Sequence, residues 1–170
     1  MGRPEIAAGA HNLVIRDLWR CSIHPHDTLV LAESISNSEL MGAAYYQIMV
    51  QGVSAELNPL QRQILDRGVI RCGEEWQKIF DSWGRGKSTS GEKLCKCFAL
   101  YDDGADTWLF NIWSALSEAA IPWYDVVGKV EQVLLCKRGQ RSICCGLNRK
   151  PIIERELARV KKEVHRYFID

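Results

Sequence analysis

No stretch of this chain reaches the roughly 20 apolar residues that a membrane-crossing helix needs, and its most apolar segment, Trp108 to Ile121, stops at about 15. Met1–His11 lacks the apolar core of a secretory signal. Ile6 stands where a myristoylation signal wants Ser or Thr, so lipidation is not expected either. Cysteines are present, seven of them, but none is paired at CxxC spacing. Cys95-Lys-Cys97 and Cys144-Cys145 together offer four thiolates, yet both pairs sit among apolar residues, which suits free thiols better than zinc. With an odd count and no secretory signal, a reducing intracellular compartment, cytoplasmic or nuclear, is the expectation. Gly86-Lys87-Ser88 ends like a phosphate loop, but Asp81 occupies the place of its first glycine and no strand precedes it. The stretch from Trp83 to Gly91 therefore reads as a flexible, basic linker. Strand-like alternation never exceeds a few residues, and no internal repeat is found.

What is present is helical periodicity. At 170 residues, 46% hydrophobic and 25% charged, the composition is that of an ordinary globular domain. The expectation is all-α: one domain over residues 1–170, a bundle of six to eight helices, with residues 1–11 loose. Asn12 can cap a first short helix that Pro25 ends, and Ser36, Asn37 or Ser38 the next, whose stripe is Leu40, Ala44, Ile48 and Val53. Asn58-Pro59 is a strong start signal. From there Leu60, Ile64, Gly68, Val69, Cys72, Trp76, Ile79, Phe80 and Trp83 recur every three or four residues, with a kink or a break expected near residue 68 from Gly68 and Gly73. Leu94–Tyr101 reads as a short apolar helix, and Asp106 as a cap for the helix after it. From Trp108 on, that helix, about 107–121, is apolar except for Asn111, Ser114, Ser117 and Glu118. A helix apolar around most of its circumference has to be surrounded, so it is placed at the buried centre of the bundle. Pro122 then opens a segment to Cys136 with Val126, Val130, Val133 and Leu134 inward. A last helix carries Ile153, Leu157, Val160, Val164 and Tyr167 on one face.

Two segments carry a resemblance. In Val69-Ile-Arg-Cys-Gly73-Glu-Glu-Trp76-Gln-Lys-Ile-Phe80, an apolar residue lies four before a glycine, which two acids and spaced bulky residues follow. In Leu100-Tyr-Asp-Asp-Gly-Ala-Asp-Thr-Trp108, an aromatic and an Asp-Gly turn lead to a tryptophan heading an apolar helix. Their order and spacing resemble the third and first homology segments of the Bcl family of apoptosis regulators. The family's Gly-Arg after that tryptophan is replaced here by Leu109-Phe110. The resemblance implies a regulatory module that takes an amphipathic helix of a partner protein into an apolar groove. Its implied groove residues are Val69, Gly73, Trp76, Phe80, Phe98, Trp108 and Ile112. The same aromatics equally suit a core.

Charge supports a second reading. Net charge is +1, but residues 137–170 hold ten of the 22 Lys/Arg against four of the 21 Asp/Glu. Arg141, Arg149, Lys150, Arg155, Arg159, Lys162 and Arg166 in this basic helical region could attract RNA or DNA phosphates. Interleaved Glu154, Glu156 and Glu163 make a solvated, ion-paired face the competing explanation. The apolar seam of the last helix could instead dock on another copy of the chain. The four histidines are scattered, and no nucleophile or paired-carboxylate motif stands out. Neither an enzyme nor a cofactor is expected.

Overall fold

A computed structural model describes residues 4–94, 103–136 and 149–169, with the side chains of 4–8 and 103–109 outside the description. The helices are α1 (Pro4–Trp19), α2 (Pro25–Ser34), α3 (Ser38–Gln51), α4 (Pro59–Gly84), α5 (Asp103–Glu118), α6 (Val126–Leu135), α7 (Lys150–Glu163) and α8 (His165–Ile169). A 3-10 turn covers Ser54–Glu56. Among the described residues there is no strand, only an isolated bridge between Lys87 and Lys93. The all-α class holds, and the helices fall into two compact units. One is Met1–Arg71 with Glu163–Asp170, the other Cys72–Lys162.

The first unit is built around α3. Residues Gly42 to Met49 are buried without interruption, Tyr45 and Tyr46 among them. A helix buried all round needs neighbours on every side, and α1, α2 and α8 pack against it. The Asn37 side chain accepts from the Leu40 amide at 2.9 Å and starts it. Gly52, at φ +70°, ends it, and the Val53 amide returns to the Ile48 carbonyl. Asn58 and Gln61 bond each other's amides reciprocally at 2.9 and 3.0 Å, a capping box that fixes the start of α4.

Several local expectations give way here. Helix α1 starts at Pro4, not at Asn12, and Pro25 opens α2 and does not end α1, which closes at Trp19. His26 Nδ1 lies 3.8 Å from a Glu56 carboxylate oxygen. Helix α4 has no break at Gly68 and runs from Pro59 to Gly84. That glycine serves packing: a Cβ there would fall inside the ring of Phe168.

In the second unit the rest of α4 turns Cys72, Trp76, Ile79 and Trp83 inward. Helix α6 adds Val126, Val127, Val130 and Val133, and α7 adds Ile153 and Val160. Asp125 caps α6 through the Gly128 amide at 2.8 Å. The stretch after Trp83 is a fastened loop and not a flexible linker. Ser82 Oγ donates to the Ser88 carbonyl (2.9 Å), the Ser88 amide to that of Glu92 (2.8 Å), and the Leu94 amide to that of Gly86 (2.8 Å). Thr89 donates its hydroxyl (2.5 Å) and its amide (3.2 Å) to the buried carboxylate of Glu156. Arg159 donates from Nε and Nη2 to the same carboxylate, both bonds ending on Oε1. The linker reading missed this because the partner is 67 residues away.

The expected sealed centre needs a larger correction. Helix α5 forms, from Asp103, but it is not enclosed. Along its described side chains only Ile112 and Leu116 are buried, while Phe110 is 69% and Trp113 58% exposed. It packs on α6 with one face. Apolar character permits burial without supplying neighbours, and much of any protein's surface is apolar. The helix wrapped on all sides is α3.

Candidate helix-binding site

The side chains of α4 and α5 build an aromatic row in the second unit. Trp83 is fully buried and meets Trp76 edge-on, with ring centroids 5.9 Å apart. One turn away Phe80 lies 5.7 Å from Trp76, and Phe80 in turn lies 6.0 Å from Trp113 of α5. Burial falls along this row, from Trp83 through Trp76 at 6% exposure to half-buried Phe80 and open Trp113. An apolar strip therefore runs from the core to the surface, where Phe110 stands one helical turn from Trp113. Beneath it Ile112 anchors α5 inward.

The other side of Trp76 is closed. Lys129 Nζ sits 4.9 Å above its ring and donates to the Trp123 carbonyl at 2.6 Å. Burial pulls the pKa of this ammonium down, and nearby Asp125 works against that. Trp123 lays its ring on Gly73, where a Cβ would overlap it. Cys72 is buried, and burial, then the charges of Asp125 and Glu75, push its thiol above the ordinary range. This side is packing, with no reactive thiol in it.

Of the residues expected to line a groove, Trp76, Phe80 and Ile112 belong to the aromatic row. Gly73 lies under Trp123. Val69, half-buried, belongs to the other unit. Trp108 is on α5 with its side chain outside the description, and Phe98 lies outside the described residues, as do Cys95, Cys97, Cys144 and Cys145. The sequence reading missed the exposure of Phe110 and Trp113. Asn111, Ser114 and Glu118 did signal it, because that polar stripe runs beside those two aromatics and marks the outer side of the helix.

The basic region is largely committed inside the second unit. Arg149 is 2% exposed and donates to the Leu94 carbonyl at 3.0 Å. Arg155 pairs with Glu92 at 2.7 Å, Lys161 with Glu131 at 2.6 Å and Lys150 with Glu154 at 3.7 Å. Arg159 reaches both Glu75 and Glu156 at 2.7 Å. Burial alone would lower its pKa, but its hydrogen bonds to the two carboxylates outweigh that and hold the guanidinium above its ordinary range. Lys162 and Arg166 are exposed, and Arg141 lies outside the described residues. Among the described residues no helix is long and apolar enough to cross a membrane. Comparison with protein-family models, with curated proteins and with solved structures finds no match.

Proposed function

We propose that this chain is a non-enzymatic regulatory interaction module, which binds an amphipathic helix of a partner protein along the strip formed by Phe80, Trp113 and Phe110. One observation carries the reading: Phe110 and Trp113 of α5 stand more than half exposed, and Trp113 lies beside Phe80, continuous with the buried Trp76–Trp83 pair. Exposed aromatics on a rigid helix are efficient anchors, because they bring much contact area and little entropy to lose. A partner helix would place apolar residues at i, i+3 or i+4, and i+7 against them. This is the mode of the Bcl family whose segments the sequence resembles, with the contact moved outward from Gly73 because Trp123 covers that residue.

Titration with an amphipathic helical peptide of the death-ligand type, at low and high salt, tests the reading. Binding that salt leaves unchanged and that Trp113→Ala weakens at least about ten-fold supports it, a loss of about 1.4 kcal/mol. Trp113 is exposed, so the variant keeps its fold. Unchanged affinity in that variant removes the strip as the site. Duplex RNA forms the control arm. Binding of RNA that collapses with salt would favour the basic region instead.

A further inference from the structure

The loop after α4 in the second unit holds Arg85, Lys87 and three successive hydroxyls, Ser88, Thr89 and Ser90, with no carboxylate side chain between Asp81 and Glu92. Sequence alone does not rank the three. Arg85 stands three residues before Ser88, whereas Lys87 stands three and Arg85 five residues before Ser90. The fold ranks them. Ser88 is 2% exposed, and its Oγ accepts from the Glu92 amide at 3.0 Å. Thr89 gives its hydroxyl to the buried Glu156 carboxylate. Ser90 is exposed near the tip of a tight turn, which the Gly91 amide closes on the Ser88 carbonyl at 2.9 Å with Gly91 at φ +84°. Arg85 and Lys87 are exposed as well. Ser90 Oγ lies 2.8 Å from Ser88 Oγ and 3.5 Å from Glu92 Oε2. Arg155 Nε donates to that same Oε2 at 3.2 Å, and its Nη2 donates to Glu92 Oε1 at 2.7 Å. An anion formed on Ser90 therefore meets a guanidinium already held in place. The planar fork of arginine suits phosphate as well as carboxylate.

We propose that Ser90 is a phosphorylation site for a serine/threonine kinase whose cleft offers carboxylates to Arg85 and Lys87, and that Arg155 holds the resulting phosphate. In the transfer the Ser90 Oγ–H bond breaks and an Oγ–P bond forms. The γ-phosphoryl group of ATP moves to Ser90, ADP leaves, and the proton passes to the catalytic aspartate of the kinase. Phosphoserine brings a charge of about −2 and strong acceptor oxygens beside Glu92. Like charge pushes the Glu92 carboxylate aside, and Arg155 changes partner. Thr89 and Glu156 keep the loop fastened, while its outer surface loses its basic character. The site is independent of the aromatic strip on α5, and either can fail without the other.

The test incubates the full chain with radiolabelled ATP and a purified serine/threonine kinase that requires a cation three residues before its acceptor. A free peptide of residues 83–94 runs in parallel, and mass spectrometry maps the phosphate. Label should divide between Ser88 and Ser90 in the peptide and fall on Ser90 alone in the folded chain. Lys87→Ala, an exposed change that leaves the backbone bonds of the loop in place, should slow labelling at least about ten-fold. Alkaline phosphatase should then strip the phosphate at least about three-fold faster from Arg155→Gln than from wild type, the scale of one exposed ion pair. No label on the folded chain, label there on Ser88 or Thr89, or an unchanged rate in Lys87→Ala overturns the site. Equal stripping of wild type and Arg155→Gln overturns the part given to Arg155.

Discussion

Helical glycines in this chain face three different environments, and their replacement by alanine should rank accordingly. Every such replacement within a helix gains about 1 kcal/mol of intrinsic propensity. At Gly9 nothing lies within 4 Å of an added Cβ, so Gly9→Ala should keep that gain and stabilise α1. At Gly73 the obstacle is the ring of Trp123, which is 58% exposed and can swing away. Gly73→Ala should come out near zero. At Gly42 the obstacle is the backbone of His165. No rotamer change relieves a clash with backbone, so α8 has to move from α3, and overpacking of this kind costs about 1–3 kcal/mol. Moving α8 also loosens Phe168 from Tyr45 and Gly68. Even after the propensity gain, Gly42→Ala should lower stability by about 1–2 kcal/mol, a shift of several degrees in Tm for a chain this long. Urea melts followed by far-UV circular dichroism read the order from the midpoints at constant slope. A Gly42→Ala chain as stable as Gly73→Ala would refute the close helix crossing at that residue.

Further expectations concern buried charge and titration. Arg159→Met strands the Glu156 carboxylate, which is 3% exposed, and should cost about 3 kcal/mol, whereas Arg159→Met with Glu156→Leu should recover much of the loss; thermal melts of the single and double variants decide it. Burial, then the charge of Glu33, raises the pKa of Tyr45 to about 12 from 10.0. Between these values the folded chain keeps a proton that the unfolded chain has lost, so stability should fall as pH rises across that window. Tyr45→Phe should flatten the fall, and parallel slopes for the two proteins in alkaline urea melts would contradict it. Cys72, fully buried with a raised thiol pKa, should resist iodoacetamide in the folded chain while exposed Cys21 reacts. Peptide mapping by mass spectrometry reads both.

Capping and periodicity carried most of the local structure from the chain alone. Asn37, Asn58-Pro59 and the valines of α6 behave as their types and spacing dictate, because a cap or an inward stripe is decided by residues three or four apart. Burial was a different matter. Trp108 to Ile121 is the most apolar stretch and was placed at the centre, while the smaller, milder residues of α3 hold that place in the first unit. Glycine and alanine at 42 to 44 explain why: small side chains let neighbouring helices close in, and enclosure depends on how closely neighbours can approach.

The candidate site divides along the same line. Trp76, Phe80 and Ile112 were visible in the sequence as helix-spaced apolar residues. That Trp123 would cover Gly73, that Phe110 and Trp113 would stand open, and that Arg149 would be buried were not. Helix type, the caps at Asn37 and Asn58 and the inward valines of α6 follow from interactions within a few turns of one chain segment, so residue order settles them. Which apolar face stays exposed and which cation finds a carboxylate depend on partners dozens of residues away, and only their packing in three dimensions decides them.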